Sequence, residues 1–404
     1  MRILLLTQWF DPEPTYKGLY FAKELQKQGF EVEVLTGFPN YPGGKIYPGY
    51  KIQLYKKEVI EGVLVTRVPL YPSHDQREIG RVLNYVSFAV SALVYGVLRA
   101  KRPDVVYAYH PPLTVGIAVS LIRLFRRVPV VYDIQDMWPD TLRATGMVSN
   151  SRALDIVGRI CKLVYRSVDR IVVLSPGFRK LLVERGVPER KVDVIYNWCD
   201  EASMGNPAGE IPKDFFGSGS FAIVFAGNMG KAQALDAVLV AAEIVQKKAP
   251  EICFVFIGGG VEVDNLKSLA HEKNLHNVRF LQPVPMAEIG GVLAKADALL
   301  IHLRKDPLFT ITIPSKTQAY MAVGKPLLMA VEGDVADLVK AAGCGVIAEP
   351  ENPESIADAA LKLFSLSSAE RNAMTERSKE YYKSKLSLNV GVEKFAAIFR
   401  QSAK

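Results

Sequence analysis

Residues 308 to 331 read LFTITIPSKTQAYMAVGKPLLMAV, and the fold follows from how that stretch changes character. Pro314 disfavours helix at Ile313 and pre-sets the backbone for a helix opening at Ser315. Thr317 to Val323 continue the helix, Gly324 caps it, and Lys325-Pro326 lead into the apolar run LLMAV. The stretch is therefore a loop, helix and strand of an α/β protein. A Ser hydroxyl, a Lys ammonium and free backbone N–H groups at one helix start suit a nucleotide diphosphate. From these residues alone, an ordinary capped helix reads equally well.

A chain of 404 residues exceeds what one core usually supports, so two domains are expected. Its 49% hydrophobic and 23% charged residues are those of a folded protein without a disordered part. Charge is uneven: residues 1–200 hold 28 Lys+Arg against 19 Asp+Glu, and 201–404 hold 22 against 23. A basic half points to nucleic acid or an anionic membrane, and the lack of any nucleic-acid module or aromatic-basic repeat favours the membrane surface. A merely solvated basic surface stays open. Cys161, Cys199, Cys253 and Cys344 lie far apart with no C-x-x-C, which argues against a zinc site and a disulfide framework. Met1 to Phe10 runs straight into Asp11 and reads as a first strand, so a cytoplasmic chain is expected.

Strands are expected at Arg2–Thr7, Glu31–Thr36, Val63–Val68, Asp104–Tyr109, Val128–Ile134, Arg170–Ser175 and Lys191–Tyr196. Helices fall between them at Lys17–Gln28, Arg81–Ala100, Leu113–Phe125 and Pro176–Glu184. The first βα loop carries no G-x-G-x-x-G, which weakens a dehydrogenase reading. Gly37 to Lys45 is rich in turn residues and aromatics, suited to sugar stacking as well as to plain turns. His74-Asp75 falls in a loop that favours both residues anyway. Arg81 to Ala100 is apolar but interrupted by Asn84, Ser87 and Ser91. It is read as a helix packed on the sheet, with partial contact to a bilayer as the alternative, helped by Arg123, Arg126 and Arg127. A Gly/Pro-bearing segment, 201–219, separates this half from a second α/β unit opening at Ser220–Ala226. Gly227, Asn228, Gly230 and Lys231 then occupy a strand-to-helix turn able to cradle phosphate.

Taken with the order of these motifs, the run P-S-K-x-x-x-Y-M-A-x-G-K-P resembles the donor-nucleotide segment of family 4 glycosyltransferases, in particular bacterial O-antigen and capsule enzymes described as N-acetyl-L-fucosamine transferases. The resemblance covers essentially the whole chain. It implies two Rossmann-like domains facing across a cleft, the GT-B arrangement: residues 1–200 for the acceptor, 201–386 for the donor, and a last helix, from about 387 to 404, crossing back. On the donor side it implies contacts from Gly227, Asn228, Gly230, Lys231, Val284, Pro314, Ser315 and Lys316; Arg304, with Lys305 after the strand Ala298–His302, is expected to help neutralise the diphosphate, a plain solvated pair reading equally well. The family carries a Glu before Tyr-Met-Ala for the ribose hydroxyls; here Ala319 stands there, and Gln318 is the expected replacement.

On the acceptor side the resemblance implies roles for Glu13 as an acid, Lys17 as a base, Asn40 and Tyr41; His74 and Asp75 are acceptor-side candidates by their loop position, a plain surface pair being the commoner case. Q-D-M-W-P-D resembles the family's motif at the cleft, with Gln135 where many relatives carry His; Asp136 is then expected to meet the sugar, a helix-cap role being its alternative. The implied activity is transfer from a UDP-sugar to a lipid-linked, polyprenyl diphosphate saccharide at the cytoplasmic membrane, with retention. No D-x-D occurs, so no catalytic metal and no cofactor beyond the donor are expected. A nucleotide-sugar 2-epimerase and an inactive nucleotide-sugar-binding relative are the alternatives.

Overall fold

The computed structural model describes residues 1–73, 78–110, 112–144, 147–148, 150–205, 215–217 and 221–403. The chain divides into two compact units, Met1–Tyr196 with Gly391–Lys404, and Asn197–Val390. His74 and Asp75 lie outside the described residues.

Unit 1 is built on eight strands: β1 (Arg2–Thr7), β2 (Glu31–Gly37), β3 (Lys56–Ile60), β4 (Val63–Val68), β5 (Val105–Tyr109), β6 (Val130–Ile134), β7 (Arg170–Val173) and β8 (Val192–Val194). Their order is β3-β4-β2-β1-β5-β6-β7-β8. All neighbours pair in parallel except β3 with β4. Central strands such as VVYAY and VVYDI are apolar apart from Asp133 because both faces are covered, and every residue of these two is buried. Edge strand β3, KKEVI, shows no such run, and the sequence reading missed it. Also missed was the helix Ser151–Ser167, although the Asn150 side chain caps it by accepting from Ala153 N–H.

Of the helices, α1 spans Leu19–Lys27, α2 Glu78–Leu98 and α3 Leu113–Arg126. The last helix of the chain, Leu388–Ser402, delivers Phe395 and Phe399 onto Tyr107, ring centroids 5.3 and 5.5 Å away. Phe395 also meets Phe21 of α1 edge-on at 5.3 Å. These closing residues are core residues of unit 1.

Only half of α2 behaves as the sequence reading expects. Asn84, Phe88, Ala92 and Tyr95 are buried, whereas the opposite face is bare. The arginines expected to face a bilayer are partly used elsewhere. Arg123 forms a two-pronged pair with Asp169 at 2.6 and 2.7 Å, and Arg126 donates to the carbonyls of Val97 and Ala100 at 2.7 and 2.9 Å. They fasten α3 to its neighbours, because orphan carbonyls at the end of α2 need donors.

Unit 2 has six parallel strands: β9 (Phe221–Ala226), β10 (Ile252–Ile257), β11 (Val278–Leu281), β12 (Ala298–His302), β13 (Leu327–Ala330) and β14 (Gly345–Ile347). They are ordered β11-β10-β9-β12-β13-β14. A helix spans Pro353–Ser365, where the Asn352 side chain caps it and Pro353 fills its first turn. Where the chain enters and leaves unit 2, Glu201 Oε1 accepts from Tyr382 Oη at 2.9 Å and from Leu388 N–H at 2.8 Å. One carboxylate thus ties the two passages together.

Candidate functional site

In a doubly wound sheet the crevice opens at the carboxyl ends of the strands where their order reverses. In unit 2 that point lies between β9 and β12, so the loops after Ala226 and His302 meet there. The helix Ser315–Val323 is locked to this edge by Tyr320, whose hydroxyl accepts from Ala226 N–H at 2.8 Å and donates to Ala226 O at 3.2 Å. The loop after β9 turns at Gly227, where φ is +136°. Behind it, Gly258 and Gly260 have φ of +135° and +147°. A Cβ on them would lie 2.2 Å from Gly227 O and 2.3 Å from Met229 O, so only glycine lets the two loops stack.

The Lys316 ammonium reaches this corner. It sits 3.5 Å from the centroid of the Phe225 ring, and a Cβ on Gly227 would be 3.4 Å from it. Burial pushes its pKa down to about 7. Among the described residues no carboxylate pairs with it. A half-buried ammonium without a counter-ion, beside a glycine turn and on the first turn of a helix, is a seat for an anion. Ser315 is exposed on the same turn, and Pro314 precedes it.

Lys231 and Arg304 border a cavity of about 410 Å³ together with Gly230, Asp236, Glu262 and Glu351. Three carboxylates line that space, so its favourable edge for an anion is the Lys231 and Arg304 rim. Asn228 packs beside Gly230, where its amide would meet a Cβ at 2.9 Å. Val284 is half-buried after β11, next to Pro283, which approaches Gly259.

His302 holds two of these segments: its Nδ1 lies 2.6 Å from Gln233 O and its Nε2 accepts from Glu351 N–H at 3.0 Å. Those partners require neutral imidazole with the proton on Nδ1, and burial lowers its pKa accordingly. Sequence reasoning missed His302, since a lone His at the end of a strand carries no local signal. Gln318 corrects another expectation. It is buried, and its amide nitrogen donates to the Ser315 and Pro314 carbonyls, each at 3.0 Å. The amide ties the first helical turn and is not free to replace the ribose carboxylate.

In unit 1 the order reverses between β1 and β5, so the loops after Thr7 and Tyr109 flank the crevice. Glu13 is buried there, with Oε1 accepting from Asn40 and Tyr41 N–H at 2.7 Å each and Oε2 from Phe10 N–H at 3.3 Å. Burial raises its pKa against those three hydrogen bonds. The expected acid is thus a brace that joins two loops. Asn40 is buried as well; its Oδ1 accepts from Asn84, which also takes a hydrogen bond from Gln8. Tyr41 is half-buried and lies against Trp9, centroids 4.7 Å apart.

Lys17, the expected base, is 1% exposed. Its ammonium is 4.0 Å from Asp133 Oδ2 and 5.2 Å from the Phe395 ring centroid. Burial lowers its pKa to about 8 despite Asp133. Tyr107 and Gln135 donate to the same carboxylate at 2.6 and 2.5 Å. Lys17 is therefore core, out of reach of an acceptor.

Asp136 is half-buried after β6, and burial alone pushes its carboxyl pKa up. Sequence reasoning overlooked His110 at the end of β5. Its ring stands edge-on to Tyr132 and Trp138, Nδ1 has no partner among the described residues, and burial drives its pKa down to about 3. A neutral imidazole and a half-buried carboxyl group can orient hydroxyl groups by hydrogen bonding. Among the described residues no cluster of three His, Cys, Asp or Glu is placed to hold a metal ion.

Residues 19–198 match the family described as Glycosyl transferase 4-like domain, and residues 210–381 match Glycosyl transferases group 1. The chain is 28% identical to the probable glycosyltransferase WbjE of Pseudomonas aeruginosa, over 99% of this chain and 98% of that one. It is 25% identical to the putative colanic acid biosynthesis glycosyl transferase WcaI of Escherichia coli K12, over 88% and 90%. Among solved structures, Anabaena Alr3699/HepE in complex with UDP superposes with a TM-score of 0.70 at 14% identity, covering 99% of this chain and 100% of that one. An E. coli trehalose-6-phosphate protein bound with UDP-2-fluoro glucose gives 0.76 at 11%, covering 99% of both.

Proposed function

Because this chain is a family 4 glycosyltransferase of the GT-B fold, we propose that it moves an N-acetylated amino or deoxy sugar from a UDP-sugar to a lipid-linked saccharide. The acceptor is a polyprenyl diphosphate saccharide of bacterial surface polysaccharide assembly, O-antigen or capsule. The enzyme works as a peripheral protein on the cytoplasmic face of the inner membrane. The observation that carries the donor class is the unpaired Lys316 ammonium at the Gly227 turn.

In this reading the bond from the anomeric carbon to the diphosphate oxygen breaks as the acceptor hydroxyl attacks from the same face, with retention. The leaving oxygen takes the hydroxyl proton. Negative charge that builds on the diphosphate is met by Lys316, by Lys231 and Arg304 at the cavity rim, and by the helix start at Ser315. Gly227, Asn228, Gly230 and Pro314 shape that edge, and the backbone at Val284 reads the base. In unit 1, Asp136 and His110 orient the transferred sugar or the acceptor hydroxyl, and Trp9 with Tyr41 offers an aromatic wall to the acceptor.

UDP release from a panel of UDP-sugars, N-acetyl-L-fucosamine first, tests this. Release is expected only when polyprenyl diphosphate saccharide is present. Epimerised sugar without acceptor would instead point to a nucleotide-sugar 2-epimerase. The absence of a carboxylate at position 319 favours a second rival, an inactive binding relative. That rival wins if UDP-sugars raise the melting temperature and no acceptor yields UDP.

A further inference from the structure

We infer that α2 is seated in the membrane surface, lying in the plane of an anionic bilayer with its outer face among the upper acyl chains. By length and composition Ile79–Leu98 is apolar enough to cross a membrane, yet the inner face is built into the core of unit 1 through Phe88, Ala92 and Tyr95. A helix fastened along its length to a sheet cannot span. What remains is a bare stripe at i, i+4 spacing: Val82, Val86, Val90 and Val94 are 56, 45, 54 and 50% exposed, and Leu98 is 72%. Leu124 and Phe125 at the end of α3, 66 and 64% exposed, extend it. Arg126 of α3 bonds the carbonyls of Val97 and Ala100, so the two helix ends are neighbours.

Charge names the occupant. Between residues 79 and 132 stand seven Lys+Arg and one acid, Asp104, which already accepts from Arg2 N–H. Arg99, Lys101, Arg102 and Arg127 are exposed beside the apolar end of the stripe. A second copy docked on this face would lay one net-positive surface, seven Lys+Arg against one acid, on another like it, whereas anionic headgroups complement it. Apolar side chains with basic neighbours are the composition of an in-plane helix. The inference rests, for its purpose, on the lipid-borne acceptor proposed above, since it would hold the enzyme where such an acceptor lies. It also departs from attachment by charge alone: Arg123 and Arg126 are engaged within the fold, and the apolar stripe carries the binding.

Vesicle flotation of the full chain tests it. Wild type is expected to float with phosphatidylglycerol-rich vesicles and to stay bound at ~1 M salt, where the Debye length is about 3 Å. Val86→Asp with Val90→Asp is expected to lose at least ~tenfold in vesicle affinity at every salt concentration, with UDP affinity unchanged. A polarity-sensitive label on Val90→Cys should shift to the blue on vesicles; the four native cysteines are buried. That labelled protein also serves if the double variant fails to fold. Equal flotation of wild type and double variant, complete release by salt, or an unmoved label would overturn the inference. So would a dimer that the double variant dissolves while vesicles leave wild type unbound. UDP binding, read on the same proteins, separates any such failure from failure of the proposed activity.

Discussion

Lys316→Ala weakens UDP binding roughly ten- to a hundred-fold, the equivalent of about 1.5 to 3 kcal/mol for one charge-assisted bond. Desolvation brings the ammonium to about pH 7 in the free protein. A diphosphate beside it restores the charge and raises that pKa, so the complex holds more proton than the free protein above pH 7. UDP affinity should therefore fall as pH rises from about 7, by at most ~tenfold per pH unit, and level off below it. Calorimetry in two buffers of different ionisation heat at pH 8 should show proton uptake on binding. Lys316→Ala should abolish that uptake. Full-strength binding by the alanine variant would remove Lys316 from the site.

Lys17→Ala should destabilise unit 1 by about 3 kcal/mol, since it leaves the buried Asp133 carboxylate without its cation. Asp133 is already held at a raised pKa by burial, against the pull of Lys17 and of two hydrogen bonds. Removing Lys17 raises it further, and Lys17→Ala with Asp133→Asn should recover part of the loss. Sign matters for the pH dependence. The folded Lys17 pKa of about 8 lies below the ordinary 10.5, so between those values the unfolded chain holds more proton. Stability from this group rises with pH across that window, and the rise should vanish in Lys17→Ala. Denaturant unfolding at pH 7 and pH 10 measures both effects. A loss under about 1 kcal/mol would show that the Asp133 hydrogen bonds suffice.

What could be read in advance depended on whether the signal was local. Strands such as RILLLT, VVYAY and ICFVFI are continuous apolar runs, and the helix start at Ser315 announces itself through Pro314. Glu13, Lys17 and Gln318 misled because they are polar residues in loops or at helix starts, where chemistry is usually sought. What decides their roles is long-range: N–H groups 27 and 28 residues away for Glu13, and a helix from the far end of the chain for Lys17. Gln318 is settled by two carbonyls of its own first turn, which a sequence pattern does not distinguish from solvent. The bare face of α2 was illegible for the opposite reason. Both sides of that helix are apolar, so periodicity cannot tell which one the sheet covers.

The return of the last helix to unit 1 bears on how the protein is made. Eight strands of that unit precede unit 2 in the chain, but Phe395 and Phe399, which close over Tyr107, and Phe395 also over Lys17, are made only after all of unit 2. At roughly 5 to 20 residues per second, the synthesis of unit 2 keeps that apolar slot open for about 10 to 40 s. The nascent unit 1 must therefore wait, with Lys17 and an aromatic cluster still wet, for a piece of itself that follows unit 2 in the chain. A chaperone able to cover such a slot has its longest opportunity here, and a chain halted anywhere within unit 2 would expose it permanently.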